Sequence, residues 1–91
     1  MTDYTVTNSW QAMSVLTGEP SGTELQVQNK GNSAIVLNES TTIPDENSTS
    51  GEVISTFYTG GGETTKVILS GSLEVWIKAV QGHSLVSVQK L

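Results

Sequence analysis

Ninety-one residues with nine acidic and four basic side chains, a formal charge of −5 and no cysteine exclude several kinds of protein at once. A chain this short buries only about 60 to 65% of the surface its unfolded form exposes, and without cysteine it has neither a disulfide nor a zinc cluster to supplement a thin core, which leaves oligomerisation as the usual aid. Arginine is absent, so the surface offers no bidentate phosphate fork and is a poor match for nucleic acid.

The N-terminal residues 1–6 (MTDYTV) carry neither the basic cluster nor the apolar stretch of an export signal. No window approaches the roughly 18 apolar residues a membrane span requires. The expectation is a soluble chain made in the cytoplasm. Residues 1–10 read as an N-terminal arm carrying Tyr4 and Trp10. Residues 9–18 are open to two readings. Trp10, Met13 and Leu16 stand three apart between Ser9 and Gly18, which could cap a short helix. Met13 and Val15 also alternate with polar neighbours as in a strand, and the strand is the favoured reading.

Residues 24–29 (ELQVQN) alternate at period two and stop at Lys30-Gly31-Asn32, the pattern of a half-buried strand and a turn. Residues 33–38 (SAIVLN) form a short continuous apolar run, the mark of a strand buried on both faces, and the two segments are expected to pair as a hairpin. Residues 39–51 carry Pro44, Asp45, Asn47 and several hydroxyl residues without periodicity, and read as a long polar loop crossing between sheets or covering an edge. Strands follow at 52–58 and 64–69, with Gly60-Gly61-Gly62 as a hairpin tip between them. The clearest strand is 73–80, which puts Leu73, Val75, Ile77 and Ala79 on the core side and Glu74, Trp76, Lys78 and Val80 on the other. Gln81-Gly82-His83 then turns the chain into a last strand over 84–90.

About seven short strands at spacings near ten residues, joined by Gly, Pro and Asn turns, predict a single all-β domain over residues 1–91. The expected architecture is an antiparallel β-sandwich or small barrel of jelly-roll or Ig-like topology.

The residues of catalysis are sparse. His83 is the only histidine, and in a Gly82-His83-Ser84 turn it reads as an exposed loop residue; a minimal hydrolase would have to pair it with Ser84 or Ser87 and an acid. Residues 45–52 (DENSTSGE) resemble a calcium loop in composition, but the glycine falls seventh and no helices flank it. Residues 60–66 (GGGETTK) lack the order of a phosphate loop. The reading is no enzyme, no metal and no cofactor. Trp76 is the more informative residue, because a large aromatic on the polar face needs a cover. The candidates are the chain's own loop, a second subunit, or a sugar stacked on the indole. The expected interface comprises Tyr4, Trp10, Glu74, Trp76 and Lys78.

Three segments, Thr7-Asn8-Ser9-Trp10, Leu25-Gln26-Val27-Gln28-Asn29-Lys30-Gly31 and Leu73-Glu74-Val75-Trp76-Ile77-Lys78-Ala79, together resemble the small β-rich accessory proteins of tailed-bacteriophage virions, which decorate capsids or attach at tails and fibres, often as trimers. The resemblance implies a non-enzymatic virion structural protein, made in the bacterial host cytoplasm. Its implied partners are itself, as a homotrimer, and other virion proteins, with neither nucleic acid nor membrane. A host glycan is a further partner, and a small carbohydrate-binding module that stacks a sugar on Trp76 or Trp10 is the alternative function.

Overall fold

A computed structural model describes residues 2–48, 51–54, 65–68 and 73–91. Eight strands and one short helix follow in chain order: β1 (Thr2–Thr7), β2 (Gln11–Ala12), α1 (Met13–Thr17), β3 (Leu25–Asn29), β4 (Ile35–Glu39), β5 (Glu52–Ile54), β6 (Thr65–Ile68), β7 (Val75–Ala79) and β8 (His83–Lys90). They form two four-stranded antiparallel sheets, β1-β8-β3-β6 and β2-β7-β4-β5. The chain is an all-β sandwich.

The pairing follows one rule. First strand pairs with last, second with seventh, third with sixth and fourth with fifth, as in one long antiparallel ribbon. Two further ladders, β3·β8 and β4·β7, roll that ribbon into facing sheets. This nested order is the jelly roll, an arrangement of two Greek keys. It puts the β4–β5 connection at the tip of the ribbon.

Alternation explains which side chains meet between the sheets. Val6, Leu25, Val27, Ile68, Val86 and Val88 face inward from one sheet, and Ile35, Leu37, Ile54, Val75, Ile77 and Ala79 from the other, with Met13 of α1 closing one end. Six of these, Val6, Val27, Ile35, Ile77, Ala79 and Val86, are wholly inaccessible. Each fully buried Val or Ile side chain contributes about 1.5–3 kcal/mol of transfer free energy, and this is the main attraction holding the sheets together.

Several expectations are corrected. Among the described residues there are eight strands, the additional one being Thr2–Thr7, so the N-terminal residues are an integral edge strand paired with β8 over Thr2↔Val88 to Thr7↔His83. Residues 9–17 are only briefly strand: Gln11–Ala12 pair with β7, and Met13–Thr17 turn into a helix. Gly18 closes that helix in the left-handed region at φ 79°, but its N-cap is Ala12, without a side-chain cap, and not Ser9. Residues 24–29 and 33–38 do not pair with each other, because β3 and β4 lie in opposite sheets and residues 30–34 form a corner between them. The turn expected at 81–83 is likewise an inter-sheet corner, over residues 80–82, since β7 and β8 are in different sheets and His83 already belongs to β8. The strands flanking the triple glycine, β5 and β6, also lie in different sheets; Gly60, Gly61 and Gly62 themselves are outside the described residues. Leu73 is 51% exposed, because β7 begins at Val75 and the alternation that carries Val75, Ile77 and Ala79 inward does not extend back to it.

Candidate functional site

Two places on the molecule gather polar chemistry. The first is the outer face of the β2-β7-β4-β5 sheet. Ala12, Trp76 and Asn38 stand side by side across β2, β7 and β4, and Lys78 stands beside Val36. This face is not open. The connection from β4 to β5 folds back across it as a strap over residues 40–48, held by three side-chain N–H donors that all read main-chain carbonyls. Trp76 Nε1 donates to the Ser40 carbonyl at 3.1 Å, Trp10 Nε1 to that of Asp45 at 2.9 Å, and Lys78 Nζ to that of Glu46 at 2.6 Å. The Asp45 carbonyl uses its second lone pair for the Ser48 amide, and the Asp45 carboxylate accepts from the Asn47 amide, which fixes the turn that presents these oxygens.

Under the strap lies a second, smaller cluster: Trp10, Ala12 and Val36 are buried, and so is Lys78 at 4% exposure. Its ammonium is 5.2 Å from the centroid of the Trp10 ring. A buried ammonium is costly unless it is hydrogen-bonded and paired; here one carbonyl and the negative face of an indole take the place of water. Trp76 is half-buried. One of the covers the sequence left open for Trp76, the chain's own loop, lies across it.

Of the remaining predicted residues, Glu74 borders the strap and Tyr4 stands apart. Glu74 is half-buried just before β7: its carbonyl accepts from the Ser40 amide at the start of the strap, and its carboxylate accepts from Ser14 Oγ of α1. Tyr4 belongs to the other sheet and leans on the main core. The structure therefore brings Trp10, Trp76 and Lys78 together under the strap, sets Glu74 at the strap's beginning, and leaves Tyr4 on the other sheet.

The second place is the end of the sandwich where three corners meet: residues 8–10, 30–34 and 80–82. Asn8 Nδ2 donates to the carbonyls of Ala79 and Val80, both at 2.9 Å. The Val80 amide donates to the Ala34 carbonyl, the Gln81 amide to Ser33 Oγ, and the Lys30 amide to the Leu85 carbonyl. At the centre is Asn29, wholly buried. Its Oδ1 accepts from the Gly31 amide at 3.0 Å and from Ser84 Oγ at 2.7 Å, while its Nδ2 donates to the carbonyls of Ser33 and, across to the other sheet, Ile54. Gly31 packs so closely on β8 that a Cβ there would lie 2.1 Å from Ser84 Oγ and 2.5 Å from the Leu85 nitrogen. Between the 30–33 and 81–85 walls is an open cleft of about 470 Å³. Sequence reasoning missed this cleft, although the turn residues that build it were read correctly as turns.

Elsewhere, Asp3 on β1 accepts from Ser87 Oγ at 2.8 Å and pairs with Lys30 at 3.2 Å. The Ser87 hydroxyl, and then the Lys30 ammonium, hold its carboxyl below the ordinary value of 3.8. The hydrolase geometry considered for His83 is not assembled in this arrangement. Successive strand residues point to opposite faces, so His83 is exposed while Ser84 is buried against Asn29. Ser87 lies four positions away, about 13 Å along an extended strand. Among the described residues no three His, Asp or Glu side chains converge as a metal site, and no helix is long and apolar enough to cross a membrane.

The fold and these two places define a class: a small all-β sandwich of jelly-roll order with a strapped outer face and a polar corner cleft. No protein-family model matches the chain, and no curated protein or solved structure matches it.

Proposed function

We propose that the chain is a non-enzymatic structural subunit of a bacteriophage virion, one that assembles with copies of itself, as a trimer, and with other virion proteins. The observation that carries this reading is the eight-stranded jelly-roll order, an architecture shared by viral shell and lectin domains; the support is architectural, by analogy of fold. The acidic, arginine-free composition suits the outside of a particle better than contact with packaged genome.

The strap redirects where such a contact would form. With Trp10 and Lys78 buried beneath it, the most exposed apolar side chains of the strap and its edge strand, among the described residues, are Ile43 of the strap, 56% exposed, and Val53 of β5, 55% exposed. These two are the proposed contact points, in place of the indole faces themselves. Light scattering on the purified chain over a range of concentrations tests the reading. A closed multimer that falls to the monomer mass in an Ile43→Glu/Val53→Glu variant is expected; a monomer at every concentration overturns self-assembly.

A further inference from the structure

We infer that the corner cleft is a binding site for a small hydroxyl-rich ligand, one or two units of a saccharide. Its volume of about 470 Å³ falls within the roughly 300–1,000 Å³ of small-molecule sites. Its walls are preformed. Lys30 N to Leu85 O, Gln81 N to Ser33 Oγ and the Asn29 hub hold the two corners against each other before any ligand arrives, which lowers the ordering cost of binding.

The chemistry of the lining selects the ligand. The side chains of Asn32, Gln81 and His83 are exposed and, among the described residues, make no hydrogen bond to the protein. Two carboxamides and an imidazole provide both donors and acceptors, the mixture that adjacent sugar hydroxyls need, since each hydroxyl donates once and accepts as well. An anion such as phosphate fits poorly, because the single cation, Lys30, is already paired with Asp3. A nucleobase fits poorly too, since the lining holds no Trp, Tyr or Phe to stack on it. A lipid tail would find only Leu85, 39% exposed; that one apolar side chain is better matched to the C–H face of a sugar ring. Gly82 leaves space clear: at φ 57° it has nothing within 4 Å of where a Cβ would stand.

The assignment is independent of the virion reading and places the glycan in a cleft lined by neither tryptophan; both indole N–H groups are already satisfied by the strap. The sole imidazole of the chain lines the cleft and gives a single resolved NMR reporter. The isotope-labelled full chain is titrated separately with glucose, galactose, N-acetylglucosamine and glucuronate, each to roughly 50 mM, enough to saturate a site with a dissociation constant of about 1 mM. At least one sugar is expected to shift the His83 imidazole and the Asn32 and Gln81 side-chain amides saturably. An Asn32→Ala/Gln81→Ala variant should weaken that binding about tenfold or more, the scale of one or two lost hydrogen bonds, with its other amide resonances unmoved. No saturable shift with any of the four, shifts that persist undiminished in the double variant, or shifts clustered at Trp10 and Trp76 would overturn the assignment. Light-scattering mass is a separate readout, so failure here leaves the assembly proposal standing.

Discussion

Ser84 Oγ donates a 2.7 Å hydrogen bond to the side-chain oxygen of Asn29, 55 positions earlier in the chain, at a point where both residues are buried between the sheets. The same amide group reaches the Ile54 carbonyl of the opposite sheet, so one side chain ties β8, β3, the 30–34 corner and β5 together. Removing it strands several buried groups together. Asn29→Ala is expected to cost at least about 2 kcal/mol, and Ser84→Ala about 1 kcal/mol. In urea denaturation the double variant should cost less than the sum, because the two singles break one shared bond; strict additivity would show that the Asn29–Ser84 contact contributes nothing to stability.

Gly31 and Gly82 lie at the same end but for different reasons. At Gly31 a methyl group would run into Ser84 and the Leu85 backbone, whereas Gly82 is in open space and needs only its positive φ. Gly31→Ala should therefore cost about 3 kcal/mol or more by overpacking, and Gly82→Ala about 1 kcal/mol through the left-handed backbone alone. Equal losses in melting experiments would contradict the packing described here.

The strap predicts a graded response in stability and in proteolysis. Trp10→Phe and Trp76→Phe each delete one indole N–H bond to a strap carbonyl, at about 0.5–1.5 kcal/mol, whereas Trp10→Ala also empties the small cluster and should cost about 3–5 kcal/mol. Lys78→Met should stay within about 1 kcal/mol of the parent, because an apolar side chain of similar length replaces a desolvated ammonium. Protease cleavage within residues 41–47 should rise in the order Lys78→Met, Trp76→Phe, Trp10→Ala. Cleavage as fast in the parent as in Trp10→Ala would mean that the strap is not held by these contacts.

Asp3 sets the acid limit of the β1 edge. Its carboxyl is held below the ordinary 3.8 by Ser87 and Lys30, so its contribution to stability is fully present above pH 3.8 and is lost as the pH falls through the lower folded-state value. The parent should be more stable than Asp3→Asn at neutral pH, and the gap should close below pH 3.8. A gap unchanged between neutral and strongly acid pH would exclude this carboxylate as its source.

Much of the strand inventory was legible locally, because a period of two is a property of the chain itself. Val75, Ile77 and Ala79 on one face of β7, the doubly buried run at Ile35, Val36 and Leu37, and the last strand all follow from side-chain alternation. The strand at Thr2–Thr7 was not legible, since threonine serves either face of an edge strand and Val6 is the only one of its residues buried. Nor did periodicity say which sheet a strand joins: it tells which side chains share a face but not which strand lies alongside, so the Lys30-Gly31-Asn32 turn passed for a hairpin although it belongs to a corner between the sheets. The burial of Lys78 and the capping of Trp76 were decided only in three dimensions. The carbonyls that satisfy them belong to a strap 32 and 36 positions away in sequence, and a donor's partner at that separation is a matter of how the ribbon rolls, not of what its neighbours are.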